Sequence, residues 1–426
     1  AHAVLASLAC LAAFGAGREL FRDARVAALA AALAAVYPPL VWHGVHLMTE
    51  PLFIFFTMLM MWALLRSRRE KGIGWAALAG AAAGLGVLSR SVLAGFVPLA
   101  GVWLWWVRGR RRGAVAAAAV LWLATAAVMA PWVVRNAVRL GRFVPLTTDA
   151  GHGSYVANNP RALDDPRGFW VPASWEFLKR PGEARLDDEV EISRRLSALA
   201  VRFLAENPWT AAKLMARRLW CFWRPWPHTE FVPVRVAVLY GVSFVPCALL
   251  MAPGFAAAWR RSRGERAPHA LVLMLAGFMT AVHTAVLAMT RYREPLMPVL
   301  LVYTAYSAVG LWDLWRARTA QRGTGDAAHF DAIAADYDCS LPEHVQEHYL
   351  TVRERVLGGL LAGGVGLDVG CGTGRLMQRL SGRGRVYGVD GSMGMLRVLR
   401  QQGRGRGVKA LTHRLPFADA SFDLVW

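Results

Sequence analysis

The chain is dominated by apolar runs of near-bilayer length, broken by short bursts of arginine. Nine such runs lie at residues 1–17, 26–42, 50–65, 74–88, 92–107, 114–134, 232–259, 270–289 and 295–315. A spanning helix needs about 20 apolar residues. Lipid gives an unpaired backbone N–H or C=O no partner, so such runs must be helical. The pattern predicts a polytopic α-helical membrane protein with about nine crossings. Ser89-Arg90-Ser91 interrupts the runs at 74–88 and 92–107, so these two are also compatible with one kinked or buried hairpin.

Composition agrees with this class. Of 426 residues, 55% are hydrophobic, and eighteen Trp and eighteen Phe suit a belt of interfacial aromatics. A net charge of +20 invites comparison with nucleic-acid binders. The arginines do not gather on one domain, however, and no nucleic-acid partner is expected. Five bursts alternate with the apolar runs: Arg18, Arg22 and Arg25; Arg66, Arg68, Arg69 and Lys71; Arg108, Arg110, Arg111 and Arg112; Arg260, Arg261, Arg263 and Arg266; Arg316, Arg318 and Arg322. Nine alternating crossings put all five on one side, and the short-loop charge rule makes that side the cytoplasm of a bacterial inner membrane. The five cysteines have no spacing for a zinc site or a disulfide framework. The chain is already apolar at residue 3 and stops within the strand-like FDLVW, so a fragment is expected at both ends.

The opposite side carries three polar sets. Residues 37–53 bring His43 and Glu50 to the entrance of a helix, residues 131–231 form a long excursion, and RYREPLMP occupies 291–298. Ionisable groups at membrane helix ends either reach the headgroups or turn into a protein cavity. Three such sets on one face favour a pocket.

TEPLFIFF at 49–56, LSRSVLAGFVP at 88–98, PWVVRNAVRLGRFVPL at 131–146, YVANNP at 155–160 and RYREPLMP, in that order, carry a resemblance. Residues 1–315 resemble the polyprenol-phosphate-dependent membrane glycosyltransferases of GT-C fold, which include protein mannosyltransferases and the aminoarabinose transferase of lipid A. The resemblance implies a polyprenyl-phosphate sugar donor and a lipid, glycan or protein acceptor. It also implies a carboxylate near the acceptor hydroxyl and cations for the departing phosphate. By the same resemblance Glu50 has an acceptor-orienting or divalent-metal-related role. Arg291 and Arg293 form the phosphate clamp, with Arg90 a weaker third. GHGSYVANNP offers His152, Tyr155, Asn158 and Asn159 to a sugar, or is an ordinary turn before an amphipathic helix. Residues 207–227, with Arg217, Arg218, Arg224 and four tryptophans, read as a helix lying at the headgroups. Members of this superfamily place a catalytic Asp in the first outer loop, which the chain as it starts does not include, so this polypeptide is expected to be inactive in glycosyl transfer. A transporter is the rival within the membrane class, but no internal repeat supports it.

Residues 316–328 read as a polar linker, and 329–426 as a separate soluble domain. LDVGCGTG at 367–374 follows a predicted strand at 365–369. A helix at 374–380, a strand at 385–389 closed by Asp390, a helix at 393–402, a strand at 408–411 and a strand beginning in FDLVW complete a partial α/β doubly wound, Rossmann-like sheet. DVGCGTG, Asp390 and LPFADASFDLVW together resemble the class I S-adenosylmethionine-dependent methyltransferases. That resemblance implies S-adenosyl-L-methionine as cofactor. Gly370, Gly372 and Gly374 would pass beneath it, Asp390 would accept its ribose hydroxyls, and Asp368 would position its amino group or the turn. The position usually acidic near the adenine is Leu411, with Thr412 as a substitute hydrogen-bonding group and His413 beside it. Cys371 reads as a small side chain in the turn, not a reactive thiol. A bare dinucleotide site would share the first turn but not LPFADASFD. Three readings remain: a glycosyltransferase fused to a methyltransferase, a methyltransferase on a non-catalytic membrane scaffold, or two separate genes joined into one sequence in error.

Overall fold

The computed structural model describes residues 2–46, 48–70, 72–109, 112–165, 167–172, 178, 188–229, 232–340, 342–412 and 414–426, and their side chains except 320–326. Lys71, Arg110, Arg111 and His413, named above, lie outside the described residues. The chain divides into two compact units, Ala1–Gly310 and Leu311–Trp426.

The first unit is helical. Its elements are α1 (His2–Phe21), α2 (Ala24–Val36), α3 (Pro38–Val45), α4 (Glu50–Arg69), α5 (Gly74–Ser89), α6 (Phe96–Val107), α7 (Arg112–Leu140), α8 (Ala150–Ala157), α9 (Glu189–Glu206), α10 (Pro208–Trp223), α11 (Val234–Arg261), α12 (Ala267–Ala285) and the start of α13 (Met297–Ile333). All nine apolar runs become helix, but fewer than nine reach spanning length. Among the described residues six helices are long and apolar enough to cross a membrane, or seven if α2 and α3, bent by 53°, make one span. The expectation of nine crossings is corrected accordingly. The shortfall has a local cause: Arg90 adopts an extended conformation and ends α5 at 16 residues, and a 3-10 turn, Ser91–Gly95, precedes α6. Residues 316–328, expected as a linker, fall inside α13. This stretch contains no proline to stop a helix.

Small residues let the helices approach closely, as membrane packing requires. Gly80 and Gly84, one turn apart on α5, face α7. A Cβ on Gly80 would stand 2.3 Å from the Leu121 carbonyl oxygen, and one on Gly84 would stand 2.8 Å from Val128. The Thr125 hydroxyl donates to the Gly80 carbonyl at 3.0 Å across the same contact. Gly80→Leu is therefore expected to destabilise the unit by about 3 kcal/mol or more through overpacking, read as a lowered thermal midpoint of the purified chain in detergent. An unchanged midpoint would mean that α5 and α7 do not pack through this face.

Four of the five arginine bursts meet at one end of the unit. Arg66 and Arg69 donate to the buried Glu19 carboxylate at 2.8 and 3.1 Å. Arg108 donates to the Ser67 carbonyl at 2.8 Å and the Gly72 carbonyl at 2.9 Å. Arg22 and Arg68 both pair with Glu265.

At the other end lies the excursion, α8 to α10, pinned by Arg218. This guanidinium is fully buried and donates to the carbonyls of Gly168, Thr284, Ala285 and Ala157 and to the Asn158 side chain. Burial pulls it down to about 10, so it stays charged at neutral pH. The α10 helix leaves Trp209 and Trp220 exposed.

The second unit holds α14 (Glu343–Leu361), β1 (Val365–Val369), α15 (Arg375–Leu380), β2 (Arg385–Asp390), α16 (Met393–Gln401), β3 (Arg406–Lys409) and β4 (Leu424–Val425). The four strands are all parallel, in the order β3-β2-β1-β4. The order reverses beside β1, which puts the ligand crevice of such sheets at the carboxyl ends of β1 and β2. Leu376, Met377, Leu380, Leu396 and Leu399 cover the sheet as its core.

Candidate functional sites

In the helical unit, Thr49, Glu50 and Pro51 open α4. The Glu50 carboxylate sits in the first turn, where the positive end of the helix dipole favours it. It is buried and accepts a hydrogen bond from the Arg90 guanidinium. Arg90 lies over the rings of Tyr292, 5.2 Å away, and Phe53, 6.0 Å away. The break between α5 and α6 thus aims a cation at one place, and that place is the wall of a cavity of about 850 Å³. Arg90, Asp149, Gly153, Ser154, His283 and Tyr292 line it together with apolar groups from α5, α7 and α12. Tyr292 stacks on His283, with centroids 4.6 Å apart and an 11° angle between planes. His283 Nδ1 lies 3.1 Å from the Leu287 carbonyl and must donate there, because a carbonyl only accepts. Val87 also lines a second, largely apolar groove of about 470 Å³ between α5, α6 and α7.

Arg291 and Arg293 do not converge. Thr290–Tyr292 is a 3-10 helix, with three residues per turn, so neighbouring side chains point about 120° apart. Tyr292 enters the cavity, and Arg291 donates to its hydroxyl at 3.1 Å. Arg293 turns into the protein, is fully buried, lies 3.7 Å from the Phe244 ring centroid and donates to the Arg224 carbonyl at 3.0 Å. A two-arginine phosphate clamp is not what this turn builds. Arg90, the weaker third candidate, is the one facing the cavity.

GHGSYVANNP is neither a loop nor a row of free ligands. Residues 150–157 form α8, and Gly151 packs on the Ser193 backbone of α9. Asn158 and Asn159 are buried, and their amide groups donate to the carbonyls of Ser154, Ala285, Tyr155 and Val156. Their work is structural. The Glu50 carboxylate is taken up by Arg90, and among the described residues no group of three or more His, Cys, Asp or Glu stands ready to hold an ion. Asp149, His283 and Tyr292 are the cavity residues that sequence reasoning missed. Asp149 stands in the apolar-to-polar switch at LTTDAG, the one signal that could have flagged it.

In the second unit, a cavity of about 420 Å³ opens at the carboxyl ends of β1 and β2. Gly370, Gly372, Asp390, Leu411 and Thr412 all line it. Gly370, Gly372 and Gly374 have φ of 85°, 53° and 80°, a region that favours glycine. Their roles differ. A Cβ on Gly370 or Gly372 would meet no atom within 4 Å, so the backbone there is bare to a ligand, whereas one on Gly374 would strike Leu399 at 2.9 Å. Asp390 accepts from the Gly372 N–H through Oδ2 and from the Ser392 N–H through Oδ1, both at 2.8 Å. Each carboxylate oxygen keeps a further lone pair for a ligand hydroxyl.

Asp368 is buried and does not line the cavity. Burial pushes its carboxyl up to about 6. The folded state therefore holds this proton more tightly than the unfolded chain, and loses stability as pH rises from about 4 to about 6. Asp368→Asn should stabilise β1 by about 2–3 kcal/mol at neutral pH, read as slower amide exchange of residues 365–369 in the intact chain. The gain should vanish below pH 4; a pH-independent gain would contradict it. Burial likewise pushes the Cys371 thiol up to about 12, so it stays protonated against Gly388.

The segment before the sheet supplies parts to which the sequence analysis assigned no role. Phe330 and Tyr337 line the cavity and meet edge to face. The acids that follow them fasten its two turns. Asp331 accepts from the Ser392 hydroxyl at 2.5 Å and the Gly394 N–H at 2.6 Å. Asp338 accepts from the Thr373 hydroxyl at 2.6 Å and from Arg404 at 2.5 Å. The signal was an aromatic–aspartate pair repeated seven residues apart in FDAIAADYD.

Comparison with known families places two parts of the chain. Residues 1–134 match the family model for dolichyl-phosphate-mannose-protein mannosyltransferases, and residues 367–426 match the family model for a methyltransferase domain. No curated protein matches the chain. The protein thus has a membrane-type helical region, similar in part to mannosyltransferases, and a distinct carboxyl-terminal methyltransferase-like α/β domain.

Proposed function

We propose that this chain joins two transferases: a membrane glycosyltransferase using a polyprenyl-phosphate-linked sugar, and an S-adenosylmethionine-dependent methyltransferase. The first reading rests above all on the cavity beside Arg90, whose wall at Val87 is shared with an apolar groove. A lipid-linked sugar has the same two-part chemistry. Arg90 faces the departing phosphate, held in position by Glu50, and the groove takes the prenyl tail. A hydroxyl of a lipid, glycan or protein would attack the anomeric carbon as its bond to the phosphate oxygen breaks. Asp149, an exposed carboxylate on the same wall, is the group in reach of that hydroxyl.

The second reading rests on the bare glycine turn opposite Asp390. A cavity of about 420 Å³ lies within the range of roughly 300–1,000 Å³ usual for small-molecule sites. Asp390 would hold the ribose hydroxyls, Gly370 and Gly372 would leave room for the methionine and ribose, and Thr412 would face the adenine. Leu411 offers no hydrogen bond there, which favours modest affinity. Bound in this cavity, S-adenosylmethionine supplies an activated methyl group, and the chain's part is to position it. The charge bursts support placing the arginine-rich end and the methyltransferase domain in the bacterial cytoplasm, with the donor cavity facing out.

Undecaprenyl phosphate, added to the intact chain in detergent, tests the membrane half by quenching of tryptophan fluorescence. Saturable binding weakened tenfold or more by Arg90→Ala is expected. Absence of binding, or equal binding by the variant, would exclude Arg90 as the phosphate-facing cation.

A further inference from the structure

The arginine-rich end of the helical unit holds a cleft of about 320 Å³ that neither proposed reaction uses. The α4 helix starts at Glu50, beside the donor cavity, and reaches this cleft at Arg68. At 1.5 Å per residue the two sites are about 27 Å apart. Three separate helix ends each bring a guanidinium to the cleft: Arg22 follows α1, Arg68 lies in the last turn of α4, and Arg261 ends α11. Ser262 adds a hydroxyl, 3.1 Å from His269 Nε2.

The charges here do not balance. Glu19 is matched by Arg66 and Arg69, and Arg66 also bonds Glu70 at 2.7 Å. Glu265 is loosely held, 3.5 Å from Arg68 and 3.9 Å from Arg22, with its side chain 62% exposed. Among the described residues, and counting Arg261, five guanidinium groups meet three carboxylates. Arg68 is the least exposed of the three cleft arginines that carry no tight carboxylate, and among the described residues its buried Nε–H has no acceptor. A buried donor on a cation is costly to leave unmet.

We propose that this cleft binds a phosphate-bearing anion. Guanidinium forks match phosphate oxygens in geometry as well as charge, and three of them on independent helix ends can engage one tetrahedral group from three sides. Basic pockets between membrane helices at headgroup depth are where anionic lipid head groups dock. A free phosphate would meet the same donors.

Native mass spectrometry of the intact chain, with dioleoylphosphatidylglycerol or dioleoylphosphatidylcholine added to the detergent, separates lipid from solute, alongside thermal midpoints with and without millimolar inorganic phosphate. Preferred retention of the anionic lipid supports a headgroup site. It should fall about tenfold in Arg261→Gln, whose exposed position spares the fold, and further in Arg68→Gln/Arg261→Gln. It should be unchanged in Arg112→Gln, which is outside the cleft. A phosphate-dependent rise in midpoint lost in Arg261→Gln, without lipid preference, supports a free-phosphate site. Equal lipid retention in all four chains with no phosphate-dependent shift would overturn the proposal.

Discussion

Asp390→Ala should lower the affinity of the intact chain for S-adenosylmethionine by about 100-fold or more. A hydrogen bond to a charged group contributes roughly 1.5–3 kcal/mol, and two ribose hydroxyls would lose theirs together. The substitution also frees the Gly372 and Ser392 N–H groups that Asp390 now holds at 2.8 Å. Asp390→Asn separates the two effects, since it keeps the shape and one acceptor oxygen, and it should fall between the wild type and the alanine variant. Isothermal titration of the three chains gives the comparison. Equal affinity in wild type and Asp390→Ala would remove this carboxylate from the site.

The second large effect concerns Glu50. Its side chain is 3% exposed and its partner Arg90 is 19% exposed, so the pair sits largely out of water. Removing one partner of a buried pair strands the other and costs about 3–5 kcal/mol. Glu50→Ala alone should therefore lower the thermal midpoint sharply, and Glu50→Ala/Arg90→Ala should recover much of the loss. Additive losses in the double variant would mean that the two groups act independently.

The sequence made the sheet domain legible almost to the residue. Strand β1 falls at Val365–Val369 as predicted, because its apolar run is bounded by glycine on both sides. Asp390 and the three glycines line up with the cavity or its turn for the same reason: the residue types needed there are few. The membrane half was legible by class and less so by site. Apolar runs mark helices, but they do not say where a helix breaks, and the break at Arg90 both shortens α5 and creates the cavity wall. Nor does the spacing in RYREPLMP reveal a 3-10 turn, which sends Arg293 into the core and Tyr292 into the cavity. Asn158 and Asn159 looked like ligands because polar side chains in apolar surroundings signal function or backbone satisfaction alike. Here carbonyls take them all. Asp331 and Asp338 escaped notice because acids in a helical segment ordinarily face solvent, and only the tertiary fold brings the turns after β2 and β1 to them.

Sidedness carries the whole account, and one labelling experiment reaches it directly. Cys339 is exposed in the sheet domain, while Cys221 and Cys371 are buried and Cys10 and Cys247 are half-buried. Thr147 is an exposed residue on the wall of the donor cavity. With a membrane-impermeant maleimide on intact cells, Thr147→Cys should be modified, and Cys339 should react only after permeabilisation. Modification of Cys339 in intact cells, or a Thr147→Cys chain that reacts only once the membrane is opened, would contradict a donor site and a methyl-transfer domain on opposite sides of one bilayer.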